Sequence, residues 1–182
     1  MSAPSPHAAG GPAARRILVT GAAGFVGGHV LPLLAGSTAR AGDCVAGIGR
    51  GRSPRLPEGV TYAAIDLLDE AALGGFVARF RPTAILHLAG LASVADSASG
   101  PGQTWRVNVN GLMNLVAAVA AVPGCTLFFV SSGEVYGSAF LAGHALTEEA
   151  EPLPRNTYAR SKWVGEQVLH DLLPRIGVKL VV

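Results

Sequence analysis

Charged residues are scarce in this chain. Only 14% of its 182 residues are Asp, Glu, Lys or Arg, and 14 basic against 12 acidic groups leave a net charge of +2. So small a balance excludes the dense basic surface that nucleic acid or an anionic membrane would need, and neither is expected as a partner. Cysteine is almost missing. Cys44 and Cys125 lie far apart in apolar runs, which excludes a disulfide framework or a cysteine zinc site. Two buried free thiols suit a reducing compartment, so a cytoplasmic location is expected. No apolar run reaches the ~20 residues of a membrane span. Residues 1–14 lack the apolar core of a signal peptide, and their Ala, Pro, Gly and Ser predict a disordered tail. No internal repeat is present. What abounds is apolar residues, at 49%, and glycine, at 24. That composition suits an α/β domain over 15–182 whose parallel strands are buried on both faces.

The most informative stretch is ILVTGAAGFVGGH, Ile17 to His29. A short branched run, Ile17-Leu18-Val19, reads as a buried strand. Gly21, Gly24 and Gly27 follow at a spacing of three, and helical character begins at Phe25. A missing Cβ permits a tight turn at Gly21, backbone approach of a pyrophosphate near Gly24, and close packing of the helix at Gly27. The free N–H groups of the helix start, at Phe25, Val26 and Gly27, are expected to face the phosphate charge and so to bind the cofactor. The reading is therefore a dinucleotide site. Phe25, Val26, Val30, Leu31 and Leu34 are expected to face the sheet, with Pro32 kinking or shortening their helix. A loop over 36–42 follows.

Further strands are expected over 44–48, 60–67, 82–90, 125–132 and 178–182, with helices over 70–80, 101–122 and 156–173 and a small-residue loop over 91–100. The second strand ends at Gly49, with Arg50 and Arg52 close behind. An acidic residue there would hold the adenosine ribose hydroxyls of NAD. With no carboxylate, two guanidiniums can meet a 2′-phosphate, so NADP(H) is favoured and NAD(H) stays open. The two arginines also fit an ordinary solvated loop. Asp66 and Asp69 each qualify as the cap of the next helix. His87, inside an apolar strand, reads as a satisfied core residue rather than a catalytic one.

Tyr158 and Lys162 stand four apart on a helix and share one face. An ammonium beside a phenol favours the phenolate, and such a tyrosine can exchange a proton with a carbonyl/alcohol pair. Lys162 can also bond the nicotinamide ribose. Ser132 can bind the substrate oxygen. A YxxxK spacing alone is weak; its place one loop after Ser131-Ser132, in a chain with the glycine turn, makes it specific.

TGAAGFVG, HLAGLASV, TWRVNVNG, SSGEVYG and TEEAEPLPRNTYARSK together resemble the extended short-chain dehydrogenase/reductases, in their NAD(P)-dependent nucleotide-sugar epimerase/dehydratase branch. The finer resemblance is to GDP-4-keto-6-deoxy-mannose reductases. It implies a Rossmann-type doubly wound parallel sheet with helices on both faces. It implies that Asp66 accepts from the adenine amine, that Leu67 packs on the ring, and that Leu88, Ala89 and Gly90 line the phosphate–ribose path. Asn108 would support the active-site backbone. The 4,6-dehydratases carry an acid pair after the Ser/Thr; here Gly133 replaces the first acid and Glu134 remains, which favours a reductase or an epimerase. The substrate implied is a nucleotide sugar, GDP-linked by the finer resemblance, and a homodimer is compatible. Members of this family continue past the sixth strand into a smaller substrate-gripping domain, of which this sequence holds none, so a cofactor-binding fragment without turnover is the other reading.

Overall fold

The computed structural model describes residues 14–37, 42–53 and 55–182. Most of the tail expected over 1–14, and the middle of the 36–42 loop, lie outside these residues. Six strands form one sheet among the described residues: β1 Arg16–Thr20, β2 Cys44–Gly49, β3 Val60–Ala64, β4 Ala84–His87, β5 Thr126–Phe129 and β6 Lys179–Val181. Every pairing is parallel, and the spatial order is β3-β2-β1-β4-β5-β6. The order reverses between β1 and β4, and a crevice opens beyond the carboxyl ends there.

Alternation along each strand sends side chains to two cores. Val19, Val45 and Val60 meet Leu31 of α1, Phe25–Ser37, on one face. On the other, Leu18, Ile85, Leu127 and Phe129 meet Leu73 of α2 (Glu70–Phe80), Leu112 of α5 (Gly111–Val119) and Leu169 of α6 (Thr157–Leu172). The sheet is thus doubly wound, with helices on both faces.

Several expectations need correcting. Phe25 and Val26 do not face the sheet; they are 84% and 52% exposed, because the first turn of α1 sits beyond the strand ends. Pro32 does not shorten α1, which runs on to Ser37. Pro32 and Gly28 are both on the solvent side, so water can reach the carbonyl that the missing N–H leaves unbonded. β3 stops at Ala64 and β5 at Phe129, because Gly49 and His87 are the last partners that the neighbouring strands offer. The 91–100 stretch holds a short helix, α3, Val94–Ser99. The helix expected from Pro101 to Val122 is α4 (Pro101–Trp105), a π-helical turn (Arg106–Asn110) and then α5.

Candidate cofactor cleft and catalytic group

A cleft of about 270 Å³ lies beyond the carboxyl ends of β1, β2 and β4. Its lining combines glycines and alanines with larger side chains. Gly21, Ala23 and Gly24 come from the turn after β1, Gly49 and Arg50 from the end of β2, and Leu88, Ala89 and Gly90 from the end of β4. Gly21 has φ +70°, and a Cβ there would stand 2.7 Å from Ala89 N. Both conformation and space therefore demand glycine. Gly24 N donates to Gly21 O at 2.9 Å and closes the turn. A Cβ at Gly27 would stand 2.6 Å from Ala22 O, so this glycine seats α1 on the turn itself.

Phe25, Val26 and Gly27 are not part of the cleft lining. What they offer is the N–H groups of the first helical turn, which have no intrahelical acceptor. Arg50 lines the cleft and Arg52 does not. The two aspartates divide the work left open above. Asp69 Oδ1 accepts from Ala72 N at 3.0 Å and caps α2. Asp66 lines the cleft, its Oδ1 accepting from Leu68 N. Leu67 also lines it, fitted against Gly111, with its carbonyl accepting from Asn114 Nδ2 at 2.9 Å. Ile48, Ile65 and Val107 complete the apolar wall, and sequence reasoning missed them. Ile48 and Ile65 flank residues it did single out, Gly49 and Asp66, which was the available signal.

Asn108 lies in the π-helical turn and is buried. Its Oδ1 accepts from Leu91 N at 2.8 Å, and its Nδ2 donates to Leu91 O at 3.1 Å and to Ser161 Oγ at 2.9 Å. Ser161 Oγ in turn donates to Tyr158 O at 2.7 Å. One amide thus ties the loop after β4 to the helix that carries Tyr158 and Lys162. His87 is a core residue, as expected. It is buried, bonded through Nδ1 to Thr20 Oγ1 at 2.8 Å, and its pKa is pushed down to about 3 by burial and then by Lys162.

Tyr158 and Lys162 are both buried on α6, one turn apart. Lys162 Nζ donates to Val130 O at 2.9 Å and sits 4.9 Å from the Phe129 ring centre. Burial lowers its pKa to about 8, and Glu166 pulls it back up. A Cβ on Gly90 would stand 3.9 Å from Nζ, which puts the ammonium where the cleft ends. The two serines after β5 differ. Ser131 Oγ donates to Glu166 Oε1, a partner that sequence reasoning missed although it lies four residues past Lys162. Ser132 Oγ accepts from Glu134 N at 3.2 Å, which leaves its O–H to donate elsewhere. Glu134 is exposed, and its Oε2 accepts from Asn156 Nδ2 at 3.0 Å. Asn156 Oδ1 accepts from Ala159 N at 2.8 Å and caps α6, so a single side chain links Glu134 to the start of that helix.

Residues 17–182 match the description of the NAD dependent epimerase/dehydratase family. The chain belongs to that family. Among its relatives are UDP-glucose 4-epimerase 2 of Oryza sativa subsp. japonica, 36% identical over 87% of this chain and 40% of that one. GDP-6-deoxy-D-mannose reductase of Pseudomonas aeruginosa is 34% identical over 85% of this chain and 46% of its own. The fold is similar to the Thermus thermophilus UDP-glucose 4-epimerase complex with NAD, with a TM-score of 0.80 and 33% identity over 91% of this chain and 53% of that one. The chain therefore spans about half the length of the family members it matches. No helix among the described residues is long and apolar enough to cross a membrane.

Proposed function

We propose that residues 15–182 form a nicotinamide dinucleotide-binding domain that also carries the proton-transfer group of a nucleotide-sugar oxidoreductase. The observation that carries the reading is a juxtaposition. Gly90 lines the cleft, and a Cβ on it would stand 3.9 Å from the Nζ of buried Lys162, one helical turn from Tyr158. The residues fit the group: Gly21, Gly24, Gly49 and Gly90 all line the cleft without a Cβ, so a pyrophosphate and riboses can lie on backbone. Asp66 and Leu67 would take the adenine, and Arg50 a 2′-phosphate, which favours NADP(H) over NAD(H). Bound there, the nicotinamide would supply or accept hydride.

The chain's own groups do the rest. Tyr158 gives its phenolic proton to a keto oxygen as that oxygen becomes an alcohol, and takes it back in reverse. Lys162 holds a positive charge beside this exchange and would donate to a ribose hydroxyl of the bound cofactor. Ser132 donates its free O–H to the same substrate oxygen. Glu134, tethered by Asn156, stands near the start of the same helix as a second acid–base group. The finer reading is reduction of a GDP-linked 4-keto-6-deoxy sugar, supported by the resemblance to the Pseudomonas reductase. Epimerisation at C4 of a UDP-linked sugar is the second reading, supported by the similarity to UDP-glucose 4-epimerases.

The test is a fluorescence titration of the chain with NADPH and NADH, followed by assays with GDP-4-keto-6-deoxy-mannose and with UDP-glucose. Saturable NADPH binding is expected, and failure of both dinucleotides to bind would overturn the proposal. In a form of the protein that turns over, NADPH oxidation by the keto-sugar would select the reductase reading, and UDP-galactose formation the epimerase one.

A further inference from the structure

We infer that the Tyr62 hydroxyl reads the 2′ position of the adenosine ribose, in the place of the side chain that residue 49 lacks. The inference rests on the cofactor reading above. β2 carries two glycines two residues apart, Gly47 and Gly49, so both present the same face. Tyr62 of β3 pairs with Gly47. A Cβ at Gly47 would stand 3.5 Å from Tyr62 Cδ2, and a Cβ at Gly49 would stand 3.2 Å from the Tyr62 hydroxyl oxygen. The ring therefore lies along the strip that the two glycines leave bare. It points toward the carboxyl end of the sheet. The Cβ that Gly49 lacks would also stand 3.6 Å from Ala23 N; Gly49 and Ala23 line the cleft, and Tyr62 lies behind that lining.

That hydroxyl is buried and has no hydrogen-bond partner among the described residues. A buried tyrosine O–H ordinarily finds one, so an orphan beside a ligand cleft points to a group supplied by the ligand. Burial also raises its pKa, which keeps it a neutral donor. A donor suits an anionic acceptor. Arg50 lines the same cleft and makes no ion pair among the described residues. Donor and guanidinium together favour a 2′-phosphate over a 2′-hydroxyl. Gly49 is then explained from both sides: a carboxylate would repel the phosphate, and any side chain would displace the hydroxyl.

The experiment measures dissociation constants of NADPH and NADH for the chain, for Tyr62→Phe and for Gly49→Ala. Tyr62→Phe should weaken NADPH by about tenfold, the loss of one hydrogen bond to a charged group, with NADH little changed. Its melting temperature without ligand should not fall, because the deleted hydroxyl has no protein partner; a purely structural tyrosine would lower it. Gly49→Ala should shrink the NADPH preference in the same way, and it decides the matter if Tyr62→Phe does not fold. An unchanged NADPH to NADH ratio in a folded Tyr62→Phe overturns this inference and leaves the cofactor reading standing. A parent chain that binds neither dinucleotide overturns both.

Discussion

Lys162 is a cation held away from water, and its titration makes that testable. Burial lowers its pKa from 10.5 to about 8. Below about pH 8 the folded chain keeps a desolvated ammonium. Between about 8 and 10.5 the unfolded chain binds the proton and the folded chain does not, so the contribution of Lys162 to stability rises with pH across that window. Lys162→Met deletes this dependence. The stability of the variant relative to the parent should be highest near pH 7 and decline toward pH 10, by at most roughly 3 kcal/mol. Thermal melts of both proteins across that range measure it, and a constant difference would mean that the ammonium is not desolvated. Tyr158→Phe separates chemistry from binding in any form of the protein that turns over. It should lower turnover by ~10²–10⁴-fold while leaving NADPH affinity nearly intact, since only the phenolic proton is lost. Near-parent rates would assign that proton to another group. Tyr158 and Lys162 were legible in the sequence because their spacing is local and helical. Tyr62 behind Gly49 and Ser131 on Glu166 were not, because those pairings are made by strand neighbours and by α6 returning over the sheet.

The turn between β1 and α1 is one element in which three glycines do separate jobs. Gly21 is pinned by a left-handed φ and by Ala89 N, so Gly21→Ala should damage the fold itself, by a few kcal/mol of strain and displaced backbone. Gly24 is different. A Cβ there meets only Gly21 O, at 3.1 Å, and the residue lines the cleft. Gly24→Val should therefore stay folded and lose dinucleotide binding. Circular dichroism melts and NADPH titrations of the two variants distinguish them: a Gly24→Val that folds and binds as the parent does would move the phosphates elsewhere. The glycine turn could be read from spacing alone, and so could α2, found at the bounds expected from its periodicity. The π-helical turn could not. Its extra residue shifts the helical phase between Trp105 and Gly111, and that shift is what brings Asn108 onto Leu91 and Ser161. A uniform 3.6-residue period cannot express it. Short stretches also misled: Val94–Ser99 is rich in small residues, yet it forms a helix that packs against α4 and α6.

At the scale of the molecule, the parallel order β3-β2-β1-β4-β5-β6 sets where ligands go. The doubly wound parallel sheet was legible through the family resemblance, which the glycine turn and the later motifs carried. The cleft's reach was not, because it depends on where neighbouring strands stop pairing. Its lining does not include Tyr158, Lys162 or Ser132, although a Cβ on Gly90, which does line it, would stand 3.9 Å from Lys162 Nζ. A dinucleotide in this cleft would meet residues that follow β1, β2, β3 and β4 together, and its binding should stabilise the domain as a whole. For a two-state domain, ligand at a hundredfold its dissociation constant adds about 2.7 kcal/mol. In a chain of this size that should raise the melting temperature by roughly 5–10 °C. A sugar nucleotide beside Tyr158, Lys162 and Ser132 would lie outside the cleft lining, so its reacting carbon should lack the orientation that hydride transfer needs. The 182-residue polypeptide should therefore show a clear NADPH-dependent rise in melting temperature, no further rise with GDP- or UDP-sugars, and no useful NADPH oxidation when a keto-sugar is added. Scanning fluorimetry and absorbance at the NADPH band test both arms on one preparation. Binding without oxidation would confine this polypeptide's part to holding the cofactor and the acid–base group. Saturable oxidation with a keto-sugar would show that Tyr158, Lys162 and Ser132 hold and turn over substrate by themselves.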